Sequence, residues 1–286
     1  VGPFDKSSIG TTATAYTIGG TSWYRKTFTL DNNADYTHTV INFDGVYMNS
    51  EVWINGKKVG VHPYGYSAFH FDVTKFLRPA GEKNVIAVKV RNEGKNSRWY
   101  SGSGIYRHVH LIRTQPIHIA HNGVYVTTEN ITDDMAVIKV ASTLDNQSKV
   151  STNAKLGMTI YSPTGKVVQT VETPIKKVAK GSSEFVQTIT IAQPALWSLE
   201  TPNLYKIKVT VLANGKETDN VTTTFGIRTI EFNAQEGFLL NGVSVLLKGG
   251  CLHHDNGFLG AATIDRAEER KVELLKACGY NAVRTA

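Results

Sequence analysis

Cysteine is nearly missing from this chain of 286 residues: only Cys251 and Cys278 occur, both in the last segment, so a disulfide framework is excluded. Isolated thiols of this kind are expected to be free and buried. No apolar run approaches the roughly 20 residues that a membrane-spanning helix requires. The opening VGPFDKSSIG lacks the basic start and apolar core of a signal peptide, and the compartment is left open. Clustered positive charge is also missing. The net charge is +7, from 31 Lys and Arg against 24 Asp and Glu, but the basic residues stand singly or in pairs such as Lys57-Lys58 and Lys176-Lys177. Without a basic patch or a reading helix, no nucleic-acid partner is expected. The Gly-x-Ser-x-Gly elbow of serine hydrolases and the Gly-Lys-Ser/Thr ending of a phosphate loop do not occur.

Helical periodicity is scarce too, and alternation takes its place. From Trp23 to Arg113 the runs SWYRKTFTL, HTVINFDGV, NSEVWINGKKVGVH, FHFDVTKFL and KNVIAVKVRN carry apolar residues at or near period two, which predicts strands. Asn55-Gly56 sits between two of them and predicts a tight hairpin, because both residues tolerate the positive φ of a type I′ turn. A β-sandwich follows for residues 1–115. After Pro116 a second series begins, IHIAHNGVYVTT, MAVIKVASTLDN, NAKLGMTIYSP, EFVQTITI, LYKIKVTVL and NVTTTFGIRTIEF, with turns at Ser162-Pro163-Thr164-Gly165 and Asn214-Gly215. Short strands at this spacing predict an immunoglobulin-like sandwich over residues 116–232.

The pattern changes in residues 233–286. GVSVLLKGG reads as a nearly continuous apolar strand, TIDRAEERKVELLKACG as the first convincing helix, and YNAVRTA as another strand. Thr263 is the expected N-cap and Gly279 the expected C-terminal stop, with Asp265, Glu268 and Glu269 at the positive dipole end. Strand, helix and strand make a β-α-β unit of a parallel sheet. One helix cannot cover both faces of such a sheet, so this segment is expected to open a larger α/β domain that the chain does not complete.

Within it, LLKGGCLHHDNGFLGAA places Cys251, His253, His254 and Asp255 within five positions. If the segment stays extended, Cys251, His253 and Asp255 share one face. Cys251 and Asp255 would then stand about 13 Å apart along the strand, too far to share one zinc ion. No second cluster with Cys-x-x-Cys or His-x-x-x-His spacing supports a metal, and no metal or other cofactor is expected. Two readings remain, a polar strand end with satisfied histidines and the rim of a binding pocket. A strand that opens a β/α barrel favours the second, since residues past its carboxyl end lie on the active face.

Several motifs in consistent order resemble glycoside hydrolase family 2, most closely its β-galactosidase-like members. They are WYRKTFTL at 23–30, VWINGKKVGVHPYGYSAFHFDVTKFL at 52–77, NSRWYSGSGIYRHVHL at 96–111, PALWSLETPNLY at 194–205, FGIRTIEF at 225–232, GFLLNG at 237–242, LKGGCLHHDNGFLG at 247–260 and NAVRTA at 281–286. The resemblance implies a jelly-roll sugar-binding domain, an immunoglobulin-like domain and the start of a TIM barrel. It also implies a retaining exo-β-glycosidase activity whose two glutamates lie on later barrel strands, so this chain alone is expected to be inactive. His253 matches the histidine that lines the sugar subsite, Asp255 lies in the same loop, and Arg284 matches an arginine near the catalytic centre. Trp99 and Tyr100 lie in a loop lent by the first domain, where they either stack on sugar or lock that loop down. Arg98 stands where the best-known members carry a metal- and galactose-contacting aspartate, so neither that metal nor strict galactose specificity is carried over. The expected partner is a carbohydrate, and homo-oligomerisation stays open. Competing expectations are a β-glucuronidase or β-mannosidase of the same family, a stand-alone carbohydrate-binding protein, and a purely structural scaffold.

Overall fold

A computed structural model describes residues 4–94, 96, 102–253 and 255–285. The chain divides into two compact units, one formed by residues 1–113 together with 248–286 and the other by residues 114–247. The architecture is mainly β, with a jelly-roll sandwich, an immunoglobulin-like sandwich and the opening β-α-β unit of a barrel.

In the first unit nine strands precede residue 115: β1 (Gly20–Thr29), β2 (His38–Phe43), β3 (Val46–Tyr47), β4 (Ser50–Ile54), β5 (Lys57–His62), β6 (Phe69–Asp72), β7 (Lys83–Asn92), β8 (Gly104–Ile105) and β9 (Val109–Thr114). They form a four-stranded sheet in the order β1-β7-β4-β5 and a three-stranded sheet in the order β6-β2-β9. Along β7 burial alternates, so that Asn84, Ile86, Val88, Val90 and Asn92 point inward. Ile86, Val88 and Val90 join Ile41 and Phe43 of β2 and Val52 and Ile54 of β4 in one apolar core. The buried Asn84 is satisfied: its Oδ1 accepts from Arg78 N at 2.8 Å and from Asn55 Nδ2 at 2.9 Å. Asn55 and Gly56 adopt φ of 52° and 81°, the type I′ pair expected of the β4–β5 hairpin.

The second unit contains β10 (Ile117–Ile131), β11 (Met135–Asn146), β12 (Thr152–Tyr161), β13 (Val167–Glu172), β14 (Lys176–Val178), β15 (Gly181–Ala192), β16 (Tyr205–Ala213), β17 (Lys216–Phe225), β18 (Ile230–Asn233), β19 (Gly237–Leu240) and β20 (Val243–Ser244). One sheet runs β10-β11-β15 and the other β13-β12-β16-β17, with β14 also on β12. Leu156, Met158 and Ile160 of β12 and Ile207, Val209 and Val211 of β16 are fully buried, beside Ile138 and Val140 of β11. Asn214 and Gly215 again take positive φ and close the β16–β17 hairpin. Register slips between Val211 and Leu212 opposite Asp219 and Glu217, and there Asp219 turns inward. Its Oδ2 accepts from Ile119 N at 2.8 Å, tying β17 to β10 at the point where β10 itself slips. Burial raises the Asp219 carboxyl above its usual range, against the lowering effect of these backbone donors.

The chain then returns to the first unit as β21 (Gly249–Leu252), α1 (Asp265–Ala277) and β22 (Ala282–Thr285), with β21 and β22 parallel. Helix α1 ends as expected in a Schellman motif: Tyr280 N donates to Leu275 O, Gly279 N donates to Lys276 O, and Gly279 has φ 84°. Its start differs from expectation. Ile264 is the N-cap and no side chain caps the helix, because Thr263 is held by its backbone N–H on Tyr106 O at 2.9 Å. Both cysteines are exposed rather than buried, since their faces of the β-α-β unit carry no covering layer. Among the described residues no helix is long and apolar enough to cross a membrane.

Two consequences can be measured. Leu156→Ala is expected to cost about 2–5 kcal/mol, read as a lower denaturant midpoint at unchanged slope, because the side chain is fully buried between the sheets. For Asp219 the folded-state pKa is raised, so the folded protein binds more protons, and that stability is lost as pH rises through the folded value. Melting temperatures of wild type and Asp219→Asn between pH 7 and pH 4 should therefore diverge in favour of wild type as pH falls.

Candidate functional site

The carboxyl ends of β21 and β22 are set side by side by their parallel register, which pairs Gly249 with Ala282 and Cys251 with Arg284. Gly249 is required here, because a Cβ would run into the carbonyl of Ala282. His253 follows directly on the end of β21, and both it and Arg284 are exposed. The expected extended geometry stops at this point. Asp255 N donates to His253 O at 2.9 Å, so the chain turns, and Asp255 no longer shares a strand face with Cys251. The loop is then pinned to α1: Lys271 Nζ donates to Asp255 O at 3.1 Å, and Asn256 Nδ2 donates to Glu268 Oε1 at 2.6 Å. Lys271 also pairs with Glu268 at 2.8 Å, so the charges under the loop are neutralised locally.

The same loop meets the jelly roll within the first unit. Gly102 packs so closely on Ala261 that a side chain at 102 would displace it, and Thr263 is bonded to Tyr106 as described above. Structure therefore brings His253, Asp255 and Arg284 into one β-α-β unit and sets the 102–106 segment against it. Trp99 and Tyr100, with Arg98 and His254, lie outside the described residues.

Beside the 102–106 segment stands an aromatic group that the sequence reading did not single out. The Tyr47 and Tyr66 rings meet edge-on at 5.0 Å, and Tyr64 meets Tyr66 at 5.8 Å. Burial pushes the Tyr66 hydroxyl up to about 12 and raises that of Tyr106, so both act as neutral donors or acceptors. Tyr106 donates to Gly65 O at 2.8 Å, Tyr47 to Asn96 Oδ1 at 3.2 Å, and Asn92 Nδ2 to Ser103 Oγ at 2.7 Å. Tyr64 remains well exposed. A ring face beside fixed hydroxyl and amide groups suits a sugar, whose C–H face stacks on an aromatic while its hydroxyls take hydrogen bonds. The signal in sequence was HPYGYSAF at 62–69, an aromatic run that strand periodicity alone does not assign to a site.

Similarity to known proteins extends over almost the whole chain. The family profile described as "Glycosyl hydrolases family 2, sugar binding domain" matches residues 8–116, and the one described as "Glycosyl hydrolases family 2" matches residues 117–228. Beta-galactosidase BoGH2A of Bacteroides ovatus is 43% identical over 284 residues, which are 99% of this chain and 33% of that protein. A beta-glucuronidase of Bacteroides fragilis is 31% identical over 261 residues, 86% of this chain and 37% of that protein. The crystal structure of a family 2 glycosyl hydrolase from Bacteroides cellulosilyticus aligns with a TM-score of 0.96 at 44% identity, covering 100% of this chain and 37% of that one. The chain thus spans about a third of the length of these relatives. Consecutive profiles of one family cover both sandwiches, the similarity continues through the β-α-β unit, and the chain accordingly belongs to glycosyl hydrolase family 2.

Proposed function

We propose that these residues are the non-catalytic front of a retaining exo-β-glycosidase acting on terminal β-galactosides, divided as a sugar-binding domain at 1–115, an immunoglobulin-like domain at 116–232 and the barrel opening at 233–286. The observation that carries this reading is the β21-α1-β22 unit. Its two strands are parallel, no residue of α1 is buried, and Ile264, Val272 and Leu274 are each about half exposed. A parallel sheet is stable only when both faces are covered, so the unit calls for further strands and helices. The two carboxylates of a retaining site stand about 5 to 5.5 Å apart and would come from those strands. In this chain His253, Asp255 and Arg284 hold the sugar at the barrel rim, and Trp99 and Tyr100, outside the described residues, are the aromatic side chains that the sequence motif offers for stacking.

Galactose is favoured by the beta-galactosidase relative at 43% identity, and glucuronate is the second reading because a relative at 40% identity is named a putative beta-glucuronidase and others at 31–32% are named beta-glucuronidases. Arg284 is the basic group at the strand end that a glucuronate carboxylate would use.

The purified chain of 286 residues is expected to hydrolyse neither aryl β-galactosides nor aryl β-glucuronides above background; turnover by it would overturn the reading. In the protein with a complete barrel, His253→Ala should lower kcat/KM for an aryl β-galactoside by roughly 10- to 100-fold, the cost of one buried hydrogen bond to a sugar hydroxyl. An unchanged kcat/KM removes His253 from the subsite. A preference for the glucuronide that Arg284→Gln abolishes would decide for the second reading.

A further inference from the structure

One constellation contains none of the residues assigned to the sugar rim and has no place in the glycosidase reading. His108 and His110 are two residues apart on extended chain at the start of β9, and Asp44 directly follows β2, the neighbouring strand of the same sheet. The strands are tied at this point by Asp44 N donating to His108 O at 3.0 Å. Asp44 Oδ2 stands 3.4 Å from His110 Nε2 and 3.8 Å from His108 Nδ1. The three ligand atoms all lie within 4.8 Å of one another. Ligand atoms held at about 2.0–2.2 Å from a tetrahedral zinc ion are separated by roughly 3.3–3.6 Å, so the observed spacing needs only a small closure.

The surroundings orient each donor. Asp44 Oδ1 accepts from Asn42 Nδ2 at 2.8 Å, which turns Oδ2 towards the two imidazoles. His108 Nε2 faces Asp265 Oδ2 at 3.7 Å, leaving Nδ1 as the atom aimed at Asp44. A carboxylate behind a ligating histidine is the arrangement that fixes its tautomer and raises its basicity. The rings themselves are tilted at 48° with centroids 5.7 Å apart, so they converge without stacking. A single divalent ion would take one nitrogen from each ring and the carboxylate oxygen together.

We propose that Asp44, His108 and His110 form a binding site for a borderline divalent transition-metal ion of the zinc class, with Asp265 positioning His108. Two imidazoles and one carboxylate select that class over magnesium and calcium, which take oxygen ligands throughout. Both histidines are about half exposed, which leaves a fourth position for water. Bound there, the ion would couple β9 to the first turn of α1 through His108 and Asp265. Sequence inspection for His-x-x-x-His and Cys-x-x-Cys missed it because a strand brings i and i+2 to one face, and the third ligand, Asp44, lies more than sixty residues before His108.

Isothermal titration of the EDTA-stripped 286-residue chain with zinc chloride should show one equivalent bound, with magnesium and calcium chloride giving no saturable heat. Asp44→Asn and His110→Ala should each weaken zinc binding at least tenfold, Asp265→Asn by about tenfold, and His121→Ala not at all. Circular dichroism checks that the stripped variants keep the wild-type fold. A measurement free of variants accompanies this: zinc should protect His108 and His110 of the wild type from diethyl pyrocarbonate, read by peptide mass mapping. No saturable zinc binding, binding indifferent to Asp44→Asn and His110→Ala, or no protection of the two histidines would each overturn the proposal.

Discussion

Alternating burial along paired strands is the constraint on which the structure depends. A strand with period-two patterning offers one apolar face, and that face is stable only when a second sheet or a layer of helices closes over it. In unit 2, β11, β12 and β16 meet the condition fully, and their inward residues are almost completely withdrawn from solvent. In unit 1 the sheets β1-β7-β4-β5 and β6-β2-β9 close over Phe43, Val52, Ile54 and Val88. The β21-α1-β22 unit does not meet it, and its exposed Val272, Leu274 and Val283 record the deficit.

How much of this could be read in advance follows from the range of each interaction. The hairpins at Asn55-Gly56 and Asn214-Gly215 depend on the φ tolerance of two adjacent residues, and they were legible. So was the Gly279 stop of α1, which needs only the local chain. Thr263 as N-cap was not, because its backbone is claimed by Tyr106, more than 150 residues earlier. Exposure of Cys251 and Cys278 depends on what covers the β-α-β unit, which composition does not state. The inward turn of Asp219 rests on two register slips in different strands, and neither leaves a sequence signature.

For the candidate site the division is similar. His253 and Arg284 were expected at strand carboxyl ends from the motif and from the rule that barrel chemistry sits there, and they stand directly after β21 and near the end of β22. The shared face of Cys251 and Asp255 was conditional on an extended segment, and that condition fails because Lys271 holds Asp255 O and Asn256 holds Glu268. Tyr64 and Tyr66 were read as part of a motif and acquire meaning only beside Tyr47 and Tyr106, which come from other loops.

The first unit is discontinuous in the chain: residues 1–113 are completed by 248–286, and the whole of 114–247 is inserted between them. Synthesis on the ribosome imposes an order on such a topology. At about 5–20 residues per second, the segment around Gly102 and Tyr106 is made roughly 8–30 seconds before its partners Ala261 and Thr263. During that interval the second unit can close on its own core, while the surface awaiting the returning loop stays open to solvent and to chaperones.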